Sequence, residues 1–164
     1  MSFGCDFPNG TATEMHFWDC GDGYVNVYSA TPLDADGNYA YPAYLYKRTL
    51  VDLDIDNQDT EFTVSDDLSL DIRVFQYSGW GACKWTEIPT FGLLANQPAC
   101  THGVPCPIKK GPQKIQIYIN FEDFTQITRI LKNDAPYQLE FVVTNKATNR
   151  KACVMFQARA YTKP

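Results

Sequence analysis

The sequence predicts an all-β fold of two antiparallel sheets packed face to face. Three observations carry that expectation. Apolar and polar residues alternate with a period of two along nearly every regular run. Aromatic residues make up 14% of the 164-residue chain, a load that favours strands. Turn signals separate the runs: Asp22-Gly23, Asp36-Gly37, Ser78-Gly79, Lys110-Gly111-Pro112, Asn133-Asp134-Ala135-Pro136 and Asn145-Lys146. Each strand then carries one apolar face, and two stacked sheets bury those faces together.

The elements follow in order. "MHFWDC" and "YVNVYSA" read as two short strands near the start. "LVDLDIDNQ" sets Val51, Leu53 and Ile55 on one face and Asp52, Asp54 and Asp56 on the other. "LSLDIRV" alternates Leu68, Leu70, Ile72 and Val74, and the phase then slips at Phe75 and Tyr77, which predicts a bulge or a change of sheet. "KIQIYINF" alternates Ile115, Ile117, Ile119 and Phe121, and "YQLEFVV" alternates Tyr137, Leu139, Phe141 and Val143. "ACVMFQARAY" alternates Val154, Phe156, Ala158 and Ala160, with Cys153 on the opposite face. Only "FTQITRILKN" has room for a helical turn. From Ser78 to Pro107 clean alternation fails, and Trp80, Trp85, Phe91, Leu93 and Leu94 sit among glycines and prolines. Long loops in compact domains are usually functional, and they seldom carry this much apolar surface.

Composition bounds the function. Apolar residues reach 45%, enough for a true core in one domain. A formal net charge of −5 argues against nucleic acid as a partner, because a phosphate-binding face needs a basic excess. No apolar run has the length of a membrane-spanning helix. "MSFGCDFPNGT" has no apolar stretch of the kind a signal peptide needs, so the chain reads as cytosolic or as a mature form with a start Met. Six cysteines, an even count, favour the mature form of a secreted protein, its signal peptide removed. The sequon Asn9-Gly10-Thr11 fits that reading and makes Asn9 the glycosylation candidate.

Three places in the sequence could carry chemistry. Asp52, Asp54 and Asp56 begin like a calcium loop, but Asn57 and Thr63 stand where that loop needs Gly and Glu. Cys100, His102 and Cys106 lack a second ligand pair for zinc, with His16 the one other histidine. Nothing in the sequence pairs a nucleophile with a base, and most acids alternate with apolar residues as solvated strand faces, so no enzyme, metal or cofactor is expected. The spacing of Cys100 and Cys106, with Gly103 and Pro105 between them, suits a disulfide-stapled turn better than a redox pair.

These landmarks carry a resemblance. "Ala99-Cys100-x5-Cys106-Pro107-Ile108-x-Lys110-Gly111" before a Tyr/Ile-rich strand resembles the ML lipid-recognition domain family. "HFWDCG" with Cys20 looks like that family's opening strand, and "KACVMFQARA" with Cys153 like its last. The resemblance spans roughly residues 15–162, leaving 1–14 as an N-terminal extension to a domain over 15–164. It implies an immunoglobulin-like two-sheet antiparallel β-sandwich, a cup with an apolar cavity between the sheets. It implies the bridges Cys100–Cys106 and Cys20–Cys153, and parity then pairs Cys5 with Cys83. No early short-range disulfide lies between Cys20 and Cys83. That absence, the "FWDC" opening and the Trp-containing middle loop lean toward the ganglioside-activator branch rather than the sterol carriers.

The implied function is soluble lipid binding and transfer from membranes, with presentation to a hydrolase as one variant. The alternatives are a lipid-sensing co-receptor module and a ligand-free adhesion domain. The cavity is expected to be lined by Val51, Leu53, Ile55, Leu70, Ile72, Val74, Ile117, Ile119, Phe121, Leu139, Phe141, Val154 and Phe156. The expected membrane-facing mouth is the loop holding Trp80, Trp85, Phe91, Leu93 and Leu94, flanked by Lys84, Lys109 and Lys110. A buried methylene contributes about 0.8 kcal/mol. A bilayer offers much the same, so exchange sits near balance, as a carrier requires.

Overall fold

The computed structural model describes residues 5–58, 68–79 and 81–164. The alternating runs form strands β1 His16–Asp19, β2 Val25–Leu33, β3 Ala43–Tyr44, β4 Thr49–Asn57, β5 Leu68–Ser78, β6 Lys84–Ile88, β7 Gln97–Pro98, β8 Gly111–Ile119, β9 Ala135–Asn145 and β10 Arg150–Tyr161. The helical turn is α1, Thr125–Thr128. One sheet runs β1-β10-β9-β5-β6, with β3 added to β10 and β7 to β5, and the other runs β2-β4-β8. The pairings are antiparallel except that of β3 with β10. The protein is an all-β two-sheet sandwich.

Alternation decides which residues meet between the sheets. Val51, Leu53, Ile55, Ile117 and Ile119 of the small sheet share one core with Leu70, Ile72, Val74, Leu139, Phe141, Val154 and Phe156 of the large one. Burying each such side chain contributes about 1.5–3 kcal/mol.

The expected bulge at Phe75 and Tyr77 does not occur. β5 pairs with β9 in unbroken register from Leu68 to Gln76, and with β6 from Val74 to Ser78. Its odd-numbered aromatics belong to the outer face. There the Arg73 guanidinium lies 5.1 Å from the Phe75 ring, and Tyr77 packs on its cross-strand partner Trp85 at 5.1 Å. Such cross-strand aromatic pairs stabilise a sheet without a bulge. The bulge lies in β2, where Val27 faces Ile55 and Ser29 faces Asp54. Tyr28 is the extra residue, and past it the core-facing positions shift from Val25 and Val27 to Ala30 and Pro32.

The irregular stretch after Ser78 is more ordered than its sequence suggests, since β6 and β7 both pair with β5. Residues 5–14, expected as an extension, are strapped to the sandwich. Cys5 is bonded to Cys83, and Thr11 is fully buried. Tyr41 donates its hydroxyl to the Thr11 carbonyl and accepts the Arg159 backbone N–H at 2.6 Å. Arg159 donates to the Ala12 carbonyl and lies 4.8 Å over the Phe7 ring. Burial pushes the Tyr41 hydroxyl pKa up to about 12.

Candidate functional site

Two apolar pockets lie between the sheets, one toward each end. The first is bounded by Val25, Val27, Leu53, Ile55, Val104, Ile108, Ile115, Ile117, Phe141, Val143, Ala152, Cys153 and Val154, so no polar side chain lines it. The second is bounded by Met15, Pro32, Ala43, Leu45, Thr49, Val51, Ile119, Tyr137, Leu139, Phe156, Ala158 and Ala160. Their volumes are about 50 Å³ and about 30 Å³. Sites for small-molecule ligands usually measure ~300–1,000 Å³. The sheets are thus closed on each other, and a lipid chain enters only if they part.

The expected cavity residues divide by position. Leu53, Ile55, Ile117, Phe141 and Val154 border the first pocket, and Val51, Ile119, Leu139 and Phe156 the second. Leu70, Ile72, Val74 and Phe121 border neither; they are packed core. Sequence reasoning omitted Ile115 and Val143, although both stand in the alternating runs. It also omitted Val104 and Ile108, whose signal is hidden in a loop without alternation.

That loop is positioned by chemistry legible only in three dimensions. The Cys100–Cys106 disulfide closes it. Tyr118 of β8 donates its N–H to the Gly103 carbonyl at 3.0 Å and its hydroxyl to the Thr101 carbonyl at 2.9 Å. Gly103 has φ +134°, and a Cβ there would stand 2.4 Å from the Tyr118 carbonyl oxygen. Only glycine allows this approach. The loop covers the free edge of β8 and turns Val104 and Ile108 inward. With both sulfurs bonded to each other, Cys100 and Cys106 are not metal ligands, and the His102 ring is exposed. Among the described residues no three His, Cys, Asp or Glu side chains gather as a metal site.

The remaining bridge, Cys20–Cys153, joins the chain just after β1 to β10 beside the first pocket. Three disulfides fit an oxidising compartment. In the second pocket, Tyr137 donates its hydroxyl to the Lys132 carbonyl, and burial raises its pKa, so the ring stays neutral.

The loop expected as the mouth is dispersed. Trp80 lies outside the described residues. Trp85 belongs to β6 and packs at a tilt against Tyr77. Leu94 is 1% exposed, and its carbonyl accepts the Ile72 N–H at 2.9 Å, so it is core and not rim. Leu93 is half-buried, while Phe91 is 79% exposed. None of these four borders either apolar pocket. Lys84, Lys109 and Lys110 are exposed, and Lys109 follows the pocket residue Ile108. Asn9 is exposed, but its Nδ2, the atom a glycan would take, donates to Gln157 at 2.8 Å.

No protein-family model matches the chain, and no curated protein matches it in sequence. Solved structures are similar to it. A Niemann-Pick type C2 protein from Japanese carpenter ant is 14% identical over 88% of this chain and 98% of its own, with a TM-score of 0.48. The C-terminal domain of wzt is 10% identical over 92% and 80%, at 0.45. Chicken MD-1, complexed with lipid IVa, is 12% identical over 89% and 98%, at 0.36.

Proposed function

We propose that the protein binds lipid between its two sheets and exchanges it with membranes. One observation carries the reading: the first pocket lies between the two sheets and is bordered wholly by apolar residues. Such a surface gives water nothing to bond to and offers an acyl chain about 0.8 kcal/mol per methylene. The cysteine landmarks that resemble the ML family support it. The implied setting is secreted or lysosomal, and the branch follows from the ligand: a glycolipid or two-chain lipid fits the ganglioside-activator reading, a sterol the carriers. Presentation to a hydrolase or a receptor is the finer step that a ligand identity would open to test.

The small pocket volumes favour one competing reading, a ligand-free adhesion sandwich with a filled core. Titration with a fluorescent fatty acid separates the two. Carriers give saturable uptake that Val154→Trp, which fills the first pocket, weakens while the fold persists. A filled core gives no uptake in either protein.

A further inference from the structure

The second pocket has a thin wall. Ala43 and Thr49 border both that pocket and a groove of about 330 Å³ on the outer surface. Leu45, between them in sequence, faces the pocket, while Tyr44, Lys47 and Arg48 line the groove. The segment 43–49 is therefore one chain thick between an apolar interior and solvent.

Its two faces differ in chemistry. Inward stand Ala43 and Leu45, both buried. Outward stand exposed Tyr44, Lys47 and Arg48, with Tyr39 62% exposed nearby in sequence. Tyr44 stacks on Tyr161 at 5.6 Å and meets Tyr46 edge-on at 5.8 Å. The Lys47 ammonium lies 5.7 Å from the Tyr44 ring and 5.5 Å from the Tyr46 ring. Exposed tyrosines beside cations suit the headgroup level of a bilayer, where the ring is half-solvated and the cation meets phosphate. Asp34 and Asp36 line the groove as well, and Asp34 accepts the N–H groups of Asp36 and Asn38 at 2.9 Å within its own turn; Lys47 and Arg48 stand beside Tyr44 on the segment itself.

The segment is also lightly held. β3 is two residues long and pairs only with the end of β10. Beyond that ladder, Leu45 donates to the Tyr161 carbonyl, Lys47 and the Thr49 hydroxyl to the Tyr44 carbonyl, and the Arg48 backbone N–H to Glu122, while the Arg48 guanidinium lies 3.9 Å from the Tyr118 ring; regular pairing resumes at Thr49, which opens β4 opposite Ile119. Short, sparsely bonded edge segments open at low cost.

We infer that residues 43–48, up to the start of β4 at Thr49, are the door of the sandwich: they dock on an anionic lipid surface and swing aside to pass an acyl chain into the second pocket. This rests on the lipid-binding reading, and the test separates the two. Lys47→Glu/Arg48→Glu leaves the buried wall intact. Transfer of a fluorescent fatty acid is measured from phosphatidylserine-containing vesicles and, separately, from a monomeric solution without membrane. The expected result is transfer from vesicles slower by at least about tenfold, since each basic residue at an anionic surface is worth about fivefold and two are reversed, with uptake from solution unchanged. Tyr44→Ser repeats the vesicle loss, and Phe91→Ser does not. Unchanged vesicle transfer in the charge-reversed variant overturns the door, as does equal loss of both uptakes with circular dichroism intact. Wild-type protein that takes up fatty acid from neither source overturns the lipid-binding reading itself.

Discussion

Arg159 shows how one side chain can fix the end of a sandwich. Its guanidinium forms a bidentate pair with Asp134 at 2.6 and 3.0 Å while also holding the N-terminal strap through Ala12 and Phe7. The hydrogen bonds and charge of Arg159 keep the Asp134 carboxyl below the usual range. A depressed folded pKa means the pair's stabilisation is present above the unfolded value near 3.8 and is lost as pH falls through the lower folded one. Because the Asp134 side chain is 38% exposed, solvent screening keeps the contribution near 0.5–1 kcal/mol. Asp134→Asn should therefore unfold at lower urea than wild type at pH 7, with the gap closing as pH falls through and below the usual carboxylate range. A gap that persists at acid pH would mean the pair is not its source. Nothing in the sequence flagged Arg159, since pairing across 25 positions leaves no local pattern.

At the scale of elements, alternation was the legible signal and irregular backbone was not. β4, β8 and β9 follow their apolar periods closely, because each has one face on the core, while β10 is buried on both faces from Cys153 to Gln157. Phe75 and Tyr77 misled because an aromatic on an outer face looks like a phase change in one dimension. The stretch after Ser78 misled for a related reason: β6 is short, and its half-buried Trp85 finds its partner across the ladder. The stapled loop was legible in its cysteines, while its docking on β8 through Gly103 was not.

The disulfides belong to this scale as well. Cys20 and Cys153 lie 133 positions apart and Cys100 and Cys106 only six. The chain-entropy account then assigns about 5 kcal/mol to the long bridge and about 2 kcal/mol to the short one. Serine pairs at each site, compared by guanidinium unfolding, should show that order. The Cys100→Ser/Cys106→Ser protein should also lose protection from hydrogen exchange at Tyr118 N–H, which the loop accepts. Equal losses of stability at the two sites would contradict a loop-length origin.

For the whole molecule, the architecture was accessible from sequence because face-to-face burial is the one economical solution for strands with a single apolar face. The site was accessible only in part. Nine expected lining residues border the pockets, yet periodicity reports which face is apolar and not how far the sheets stand apart. The mouth is expected from sequence at the loop richest in aromatics; the thin wall at residues 43–49 leaves no sequence pattern and emerges only when inner pocket and outer groove are seen to share Ala43 and Thr49. The central claim is that closed sheets part for lipid. Native mass spectrometry with solvent extraction, on protein from a eukaryotic host, tests it most directly. The account predicts one acyl lipid per protein, lost on extraction and regained from vesicles. Lipid-free protein that regains none would contradict it and leave a sandwich with a filled core.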